Sequence, residues 1–205
     1  MSPLWLDRSP PALASKSEIR AQILRDAGLS PEIVSSRVDE RRVEAQLDPA
    51  HKTPAGVARA LAIAKAAEVS SRCPDRLVIG ADQTLALGEE RFTKPADIAA
   101  GREQLRRLSG QTHSLFSGVA IARDGETLWS FVDEARLTMR PLSSDFVDAY
   151  LAAAGPEILK SVGGYQFEGL GAHLFAEVAG DFRTILGLPL SPLLAALRDL
   201  GAIRA

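Results

Sequence analysis

The run of residues 78–84, Val-Ile-Gly-Ala-Asp-Gln-Thr, constrains the fold of this chain more than any other stretch of its sequence. Its short β-branched start is bounded by turn residues, which is typical of a buried strand. We therefore expect a strand over 77–81 that ends at Asp82, where a ligand can approach. Lys94 and Pro95 follow downstream and place a lysine near this acid. An aspartate that only caps a turn is the alternative interpretation.

The length and composition indicate one folded unit. A chain of 205 residues with 46% hydrophobic content can bury one sizeable core, and this length favours a single domain over 1–205. Residues 1–10 are polar and rich in proline, and we expect either a flexible leader or an added edge strand there. Strand and helix signals are interspersed along the rest of the chain, so the fold mixes α and β elements.

Charge and cysteine content exclude several classes of protein. A net charge of -2 argues against a nucleic-acid binder, which needs a basic face, so any anion site must be local. A single cysteine, Cys73, cannot form an intrachain disulfide, and three scattered histidines do not complete a zinc site with it. We expect a cytoplasmic protein with no membrane partner, because no run of about 18 apolar residues and no secretion signal occurs.

Local signals predict most of the secondary structure. Capping residues, apolar periodicity and breakers place helices over 17–28, 53–72, 98–108, 143–153 and 192–200. Alternating or β-branched runs place strands over 32–36, 77–81, 84–87, 90–92, 112–122, 127–139 and 172–178. We expect residues 38–42 to form a charged turn.

The first expected helix begins with groups that suit an anion. Ser15, Lys16 and Ser17 precede it and Arg20 lies one turn inside, so hydroxyls, free backbone N–H groups and a guanidinium converge there. No P-loop or dinucleotide-binding glycine motif occurs in the chain. Ordinary serine capping beside a surface arginine is the alternative interpretation.

Two acids and two lysines could complete a metal-phosphate site. Glu40 and Asp82 are hard oxygen donors, and two such acids with substrate phosphates are a usual way to hold Mg²⁺. Lys65 lies in a largely apolar helix, where it either reaches solvent or pairs with an anion. Lys94 precedes a proline, so it lies in an extended segment near the strand that carries Asp82.

The glycine-rich segment 161–171 could bind a nucleobase. Its glycines allow close backbone approach, and Tyr165, Phe167 and Glu168 supply two aromatic rings and an acid. A tight surface turn is the alternative interpretation. We expect the three histidines to be structural or exposed rather than catalytic; these are His51, His113 and His173.

With these residues assembled, the chain resembles the Maf family of nucleotide pyrophosphatases. The motifs that carry the resemblance are Leu-Ala-Ser-Lys-Ser over 13–17 with Arg20, Val-Asp-Glu over 38–40, Ala-Lys-Ala over 64–66, Gly-Ala-Asp-Gln over 80–83, Lys94-Pro95, Leu-Ser-Gly-Gln-Thr-His over 108–113, the 164–171 loop and Ile-Leu-Gly-Leu-Pro over 185–189. The resemblance implies an α/β fold with a mixed twisted sheet, flanking helices and two lobes around a nucleotide cleft, similar to the inosine triphosphatases. It also implies Mg²⁺-dependent cleavage of a nucleoside triphosphate to monophosphate and pyrophosphate, with Mn²⁺ as the alternative metal, and frequent homodimers.

The resemblance assigns roles by position. Asp82 matches the family's general base, Glu40 matches its metal-binding acid, and the phosphate-contacting positions are matched by Ser15, Arg20, Lys65 and Lys94. Ser17 and Tyr165 are further candidates for binding the substrate. This chain departs from the family where Glu18 and Ile19 replace the usual proline and the following arginine or tryptophan. We expect Glu18 to point away from the cleft, since it would repel a triphosphate.

Base preference is predicted from two positions. Gln83 and Glu168 look like the branch that acts on 7-methyl-GTP, whereas the branch that acts on dTTP and UTP tends to carry Thr and Gln there. A carboxylate can accept both adjacent donors of guanine, while an amide better complements uracil and thymine. Three alternatives stay open: a dTTP and UTP pyrophosphatase, a nucleotide-sensing regulator of cell division without turnover, and a structural domain with incidental charges.

Overall fold

The protein is an α/β structure built on one mixed seven-stranded sheet, as the sequence predicts. The computed structural model describes residues 3–204. The strands lie in the order β2-β1-β3-β5-β6-β7, and β4 pairs with β3 beside this path. Their bounds are β1 Ala12–Ala14, β2 Glu32–Ile33, β3 Val78–Leu87, β4 Glu90–Phe92, β5 Thr112–Arg123, β6 Glu126–Met139 and β7 Phe175–Ala179. Among the strand pairs in the described part of the chain, β1–β2 and β1–β3 are parallel and the others are antiparallel.

Helices flank this sheet, and side-chain oxygens define where most of them begin. Their bounds are α1 Glu18–Asp26, α2 Glu40–Ala45, α3 Pro54–Ser70, α4 Ile98–Leu108, α5 Ser144–Ala154, α6 Phe182–Ile185 and α7 Leu190–Asp199. In each of the first six helices, the side-chain oxygen of the residue before the helix accepts a hydrogen bond from a backbone N–H group of the first turn. These capping residues are Ser17, Asp39, Thr53, Asp97, Ser143 and Asp181. The sequence analysis identified four of these starts, but it missed α6 and assigned the start of α2 to a charged turn.

Helix α3 packs unusually close to the sheet because two strands carry glycine beneath it. A Cβ atom at Gly80 would lie 2.2 Å from the carbonyl oxygen of Ala62, and one at Gly118 would lie 2.3 Å from that of Ala58. No side chain fits at these distances. Small residues on both surfaces therefore set the height of α3 above β3 and β5.

The prediction that Asp82 ends a strand is wrong. Strand β3 continues through Asp82 to Leu87, because β5 pairs with it from Val78 to Ala86 and satisfies its backbone on that edge. On the other edge, β1 pairs with β3 as far as Gly80, and β4 pairs only from Leu85. Within the described chain, residues 81–84 therefore have no strand partner on that side, and we call this stretch the open edge of β3.

The core contains two large apolar clusters that share the long strands, beside two smaller ones. One contains Ile79 and Ala81 of β3, and the other contains Leu85. Strand β5 likewise contributes Val119 to the first and Leu115 to the second. The polar residues between them on both strands are therefore positioned where the two clusters meet.

The described part of the expected leader packs against the carboxyl end of the chain. Trp5 is 8% exposed and forms a bridge with Ile203, and its neighbour Leu6 donates its N–H to Ala202 at 2.9 Å. Met1 and Ser2, which belong to the same expected leader, lie outside the described residues. Across residues 3–204, none of the helices combines the length and apolar character that a membrane crossing requires.

Candidate active site

The candidate site lies where the three parallel strands end. Ser15 directly follows β1, and Glu40 opens the helix that follows β2. Asp82 lies on β3, two residues beyond the last residue that pairs with β1. Ligands of open α/β sheets bind at such carboxyl ends, where neighbouring chain segments diverge and leave a crevice. The open edge of β3 forms the floor of this crevice.

The ammonium of Lys65 joins the two predicted acids. Its Nζ atom lies 2.5 Å from Oδ1 of Asp82 and 2.6 Å from Oε1 of Glu40. Lys65 and Asp82 each expose 14% of their side chains, whereas Glu40 exposes 54%. The close packing of α3 brings Lys65 this near to β3, because Ala62 and Ala66 on the same helix contact Gly80.

Burial makes Asp82 a stronger proton acceptor than an exposed aspartate. Removal from solvent raises its pKa above the ordinary value, the charges of Lys65 and Arg20 oppose this shift, and Glu40 reinforces it. Lys65 occupies Oδ1, while Oδ2 has no hydrogen-bond partner among residues 3–204. One carboxylate oxygen is thus held in place and the other is available to a ligand or a water molecule.

Arg20 is fixed in the crevice by three acceptors. Its Nε donates to the carbonyl of Gly187 at 2.8 Å, and its Nη1 donates to the carbonyl of Ala81 at 3.0 Å and to Oγ of Ser15 at 3.2 Å. Burial lowers the pKa of this guanidinium, while Asp82 and Glu40 raise it. Nη2 has no partner among the described residues, so that end of the guanidinium can bind an anion.

The two serines at the start of α1 retain their donor capacity. Oγ of Ser15 accepts the N–H of Ser17 at 3.2 Å, and Oγ of Ser17 accepts the N–H of Arg20 at 3.5 Å. Both hydroxyl hydrogens remain free for a phosphate oxygen. Glu18 pairs with Arg25 on the exposed surface of α1, seven residues along the helix and therefore on the same side, which agrees with the expectation that Glu18 points away.

Two predicted residues lie on exposed segments without contacts to the others. Lys94 follows β4, and Glu168 lies in the glycine-rich segment. Within residues 3–204, neither side chain makes a hydrogen bond or an ion pair. Their roles toward a nucleotide therefore stay predictions.

The prediction that Tyr165 contacts the substrate disagrees with its position. Tyr165 is 4% exposed, and its hydroxyl lies 2.7 Å from Nε2 of His113 in the second apolar cluster. Phe167 also packs against that cluster, with its ring 5.4 Å from the ring of Phe175. The aromatic residues of the segment 161–171 hold it to the core, because burying their large apolar area stabilises the fold. His113 is structural, as expected.

Gln83 faces away from Asp82. Successive strand residues point to opposite faces, so Asp82 lies on the α3 side and Gln83 on the α6 side. The Nε2 atom of Gln83 lies 3.0 Å from Oγ of Ser117, 3.1 Å from the carbonyl of Thr184 and 3.0 Å from that of Ile185. These acceptors occupy the amide nitrogen, whereas Oε1 has no partner among residues 3–204 and can accept from a ligand.

The sequence analysis missed Ser117 and Thr184, although one signal points to Ser117. It occupies a core-facing position of β5 between Leu115 and Val119, two residues away on either side. A buried hydroxyl in such a row requires a partner. Thr184 immediately precedes the Ile-Leu-Gly-Leu-Pro motif, but nothing local shows that it is fully buried.

The acid pair is compatible with a divalent metal ion. Residues 3–204 contain no cluster of three or more acidic, histidine or cysteine ligands. Glu40 and Asp82 nevertheless direct carboxylate oxygens at one cationic centre, the Lys65 ammonium. Two carboxylates completed by substrate phosphates and water are the ligand set that Mg²⁺ commonly accepts.

Comparison with known proteins identifies the family. A profile of the family described as Maf-like protein matches residues 11–200. The chain belongs to the Maf family. It is 53% identical to a 7-methyl-GTP pyrophosphatase of Rhizobium johnstonii. The match spans 191 residues, which cover 93% of this chain and 96% of the relative.

Two further relatives carry related names. A 7-methyl-GTP pyrophosphatase of Brucella suis is 52% identical over 186 residues, which cover 91% of this chain and 94% of the relative. A nucleoside triphosphate pyrophosphatase of Rhodopseudomonas palustris is 50% identical over 196 residues, 96% of each chain. These matches confirm the resemblance that the motifs indicated.

Proposed function

We propose that this Maf protein is a nucleoside triphosphate pyrophosphatase, a hydrolase that acts on acid anhydrides. The observation that carries the proposal is the bridge from Lys65 to Asp82 and Glu40, beside the fixed guanidinium of Arg20. Hydrolysis of a phosphoanhydride requires a proton acceptor, cations against the phosphate charge and a positioned water. The names of the relatives support the same activity.

The reaction balances with these residues. The oxygen of a water molecule bonds to the α-phosphorus while the bond from that phosphorus to the bridging oxygen of the β-phosphate breaks. The bridging oxygen keeps the electron pair and leaves with pyrophosphate, and Asp82 takes the proton of the water. Burial favours this transfer because it raises the pKa of Asp82.

The cationic groups oppose the charge that develops on the phosphate oxygens. We assign this task to Lys65, Arg20 and Lys94, and assign hydrogen bonds to the phosphates to Ser15 and Ser17. Glu40 and Asp82 would hold the divalent metal, for which we propose Mg²⁺ with Mn²⁺ as the alternative. When bound, such an ion neutralises phosphate charge.

For the base we propose 7-methylguanine. Glu168 is exposed and unpaired within the described chain, so its carboxylate can accept the two adjacent donors of guanine and complement the positive charge of the N7-methylated ring. One such contact discriminates by about 1 to 3 kcal/mol. We also propose that the protein acts in the cytoplasm, where its single cysteine stays reduced.

The test is pyrophosphate release from 7-methyl-GTP, GTP, dTTP, UTP, CTP and ITP with Mg²⁺. We expect rapid release from 7-methyl-GTP, and we expect Asp82→Asn to abolish it while nucleotide binding stays nearly intact. A preference for dTTP and UTP would keep the hydrolase and discard the base assignment. Binding without release by the parent would instead favour the nucleotide sensor.

A further inference from the structure

A partly buried polar network connects β3 to β6 through α6 and does not include the acids or the phosphate-binding groups. It consists of Gln83, Ser117, Thr184 and Asp133, and we call it the α6 network. Oγ of Ser117 donates to the carbonyl of Thr184 at 2.7 Å, and the same carbonyl accepts Nε2 of Gln83 at 3.1 Å. Oγ1 of Thr184 donates to Oδ2 of Asp133 at 2.6 Å.

Thr184 connects the two ends of this network. It is fully buried, and Ser117 is equally inaccessible. Its side chain fixes α6 to Asp133 on β6, while its carbonyl and that of Ile185 hold the amide of Gln83. A shift of α6 relative to β6 would therefore move both carbonyls that orient Gln83.

The orientation of Gln83 matters because it decides which hydrogen-bonding group a ligand meets. An amide offers two donor hydrogens on one side and an acceptor oxygen on the other. With Nε2 occupied by Ser117, Thr184 and Ile185, the free group is the acceptor Oε1. If α6 no longer supplied the carbonyls of Thr184 and Ile185, the amide could rotate and present its donors instead.

We propose that Asp133 and Thr184 are positioning residues that set base selectivity, by holding the α6 carbonyls that keep Gln83 as an acceptor. The inference rests on the proposed nucleotide site, since it concerns which base that site prefers. Neither side chain is required to touch the nucleotide. Their effect passes through Gln83, which lies next to Asp82 on β3.

The test measures binding of nucleoside monophosphates, which contain no phosphoanhydride and cannot be turned over. Dissociation constants for 7-methyl-GMP, GMP and UMP give a selectivity ratio between the tightest and the weakest ligand. We expect Thr184→Val and Asp133→Ala to lower this ratio by ~10-fold, the effect of about one hydrogen bond. Asp133→Asn keeps an acceptor oxygen and should retain most of the parental ratio.

Thr138→Val is the matched control. It makes the same chemical change on β6 and removes the hydrogen bond to Oγ1 of Thr112 at 2.9 Å, which lies outside the α6 network. The control should keep the parental ratio. Circular dichroism and thermal melting establish that each variant is folded. If Thr184→Val does not fold, the selectivity ratio of Asp133→Ala decides the question, because Asp133 is only partly buried.

The inference is overturned if the folded variants keep the parental ratio, if Thr138→Val lowers it equally, or if the parent binds all three monophosphates with equal affinity. These outcomes differ from the one that contradicts the hydrolase proposal. That proposal fails if the parent releases no pyrophosphate from triphosphates. If the parent releases no pyrophosphate but Thr184→Val has a lower selectivity ratio than the parent, the inference is supported and the hydrolase proposal is contradicted.

Discussion

At the scale of single residues, the Lys65 ammonium is the central group of the site. It is largely buried and neutralises two carboxylates that would otherwise repel each other and a triphosphate. The same ammonium is a preorganised positive charge for the developing charge on the phosphates. From the sequence, a lysine in an apolar helix could either reach solvent or pair with an anion. The structure shows that Lys65 pairs with anions.

We therefore expect Lys65→Met to lower kcat for pyrophosphate release by about 100-fold. Methionine keeps the unbranched stem and its packing but removes the charge. Steady-state kinetics on 7-methyl-GTP would measure the effect. Lys52→Met is the control, because Lys52 is exposed and unpaired within the described chain, and a comparable loss in that variant would contradict the role of Lys65.

At the scale of elements, the site depends on how closely α3 approaches the sheet. Ala62 and Ala66 of the helix lie directly above Gly80 of β3. The backbone of α3 has no room to accommodate even a methyl group there. The glycines beneath the helix, Gly80 and Gly118, thus set the distance between Lys65 and Asp82.

Gly80→Ala should therefore destabilise the protein by about 3 kcal/mol and reduce turnover, because the new Cβ must displace α3 and with it Lys65. Denaturant unfolding and kcat at a temperature where the variant is folded measure the two effects. Gly88→Ala is the control: Gly88 has a φ of 62°, and among residues 3–204 no atom lies within 4 Å of a Cβ placed there. Alanine there costs only the left-handed strain of about 1 kcal/mol and leaves turnover unchanged.

At the scale of the whole molecule, a titratable ring, His113, packs against Tyr165 and Phe175 of the second apolar cluster. Burial lowers the pKa of His113 to about 4 from the ordinary 6.5, and Nδ1 of the ring has no hydrogen-bond partner within residues 3–204. The unfolded chain takes up a proton below pH 6.5, but the folded protein does so only near pH 4. Stability is therefore constant with respect to this group above pH 6.5 and falls between pH 6.5 and 4.

The loss amounts to about 3 kcal/mol at full titration. We expect His113→Gln to remove this part of the acid destabilisation, because glutamine does not titrate and can still bond the Tyr165 hydroxyl. Urea unfolding at pH 7, 6, 5 and 4 gives the slope of stability against pH. His173→Gln, at an exposed position, should keep the parental slope, and an unchanged slope in His113→Gln would refute the assignment.

Much of the fold could be predicted because local signals were strong. Ser17, Thr53 and Ser143 cap the helices that they were expected to begin, and the alternating pattern predicted β5 and β6 closely. Helix α2 was missed since it has no buried residue and thus no apolar periodicity to reveal it. The apparent break after Ala81 was wrong because pairing with β5 carries β3 past its polar residues.

The candidate site likewise has one part that local sequence signals predicted and another part that depends on contacts between distant residues. Residue types and local patterns show which groups are available: the acids Glu40 and Asp82, the lysine in an apolar helix, and the serines at a helix start. These depend on residue type and on preferences within a few neighbours. The three-dimensional packing was needed to show that Lys65 bridges both acids, that Tyr165 is buried against His113, and that Gln83 is held by α6. Such contacts join residues far apart in the chain, and they form where packing of helices on the sheet, rather than local preference, fixes the distance between side chains.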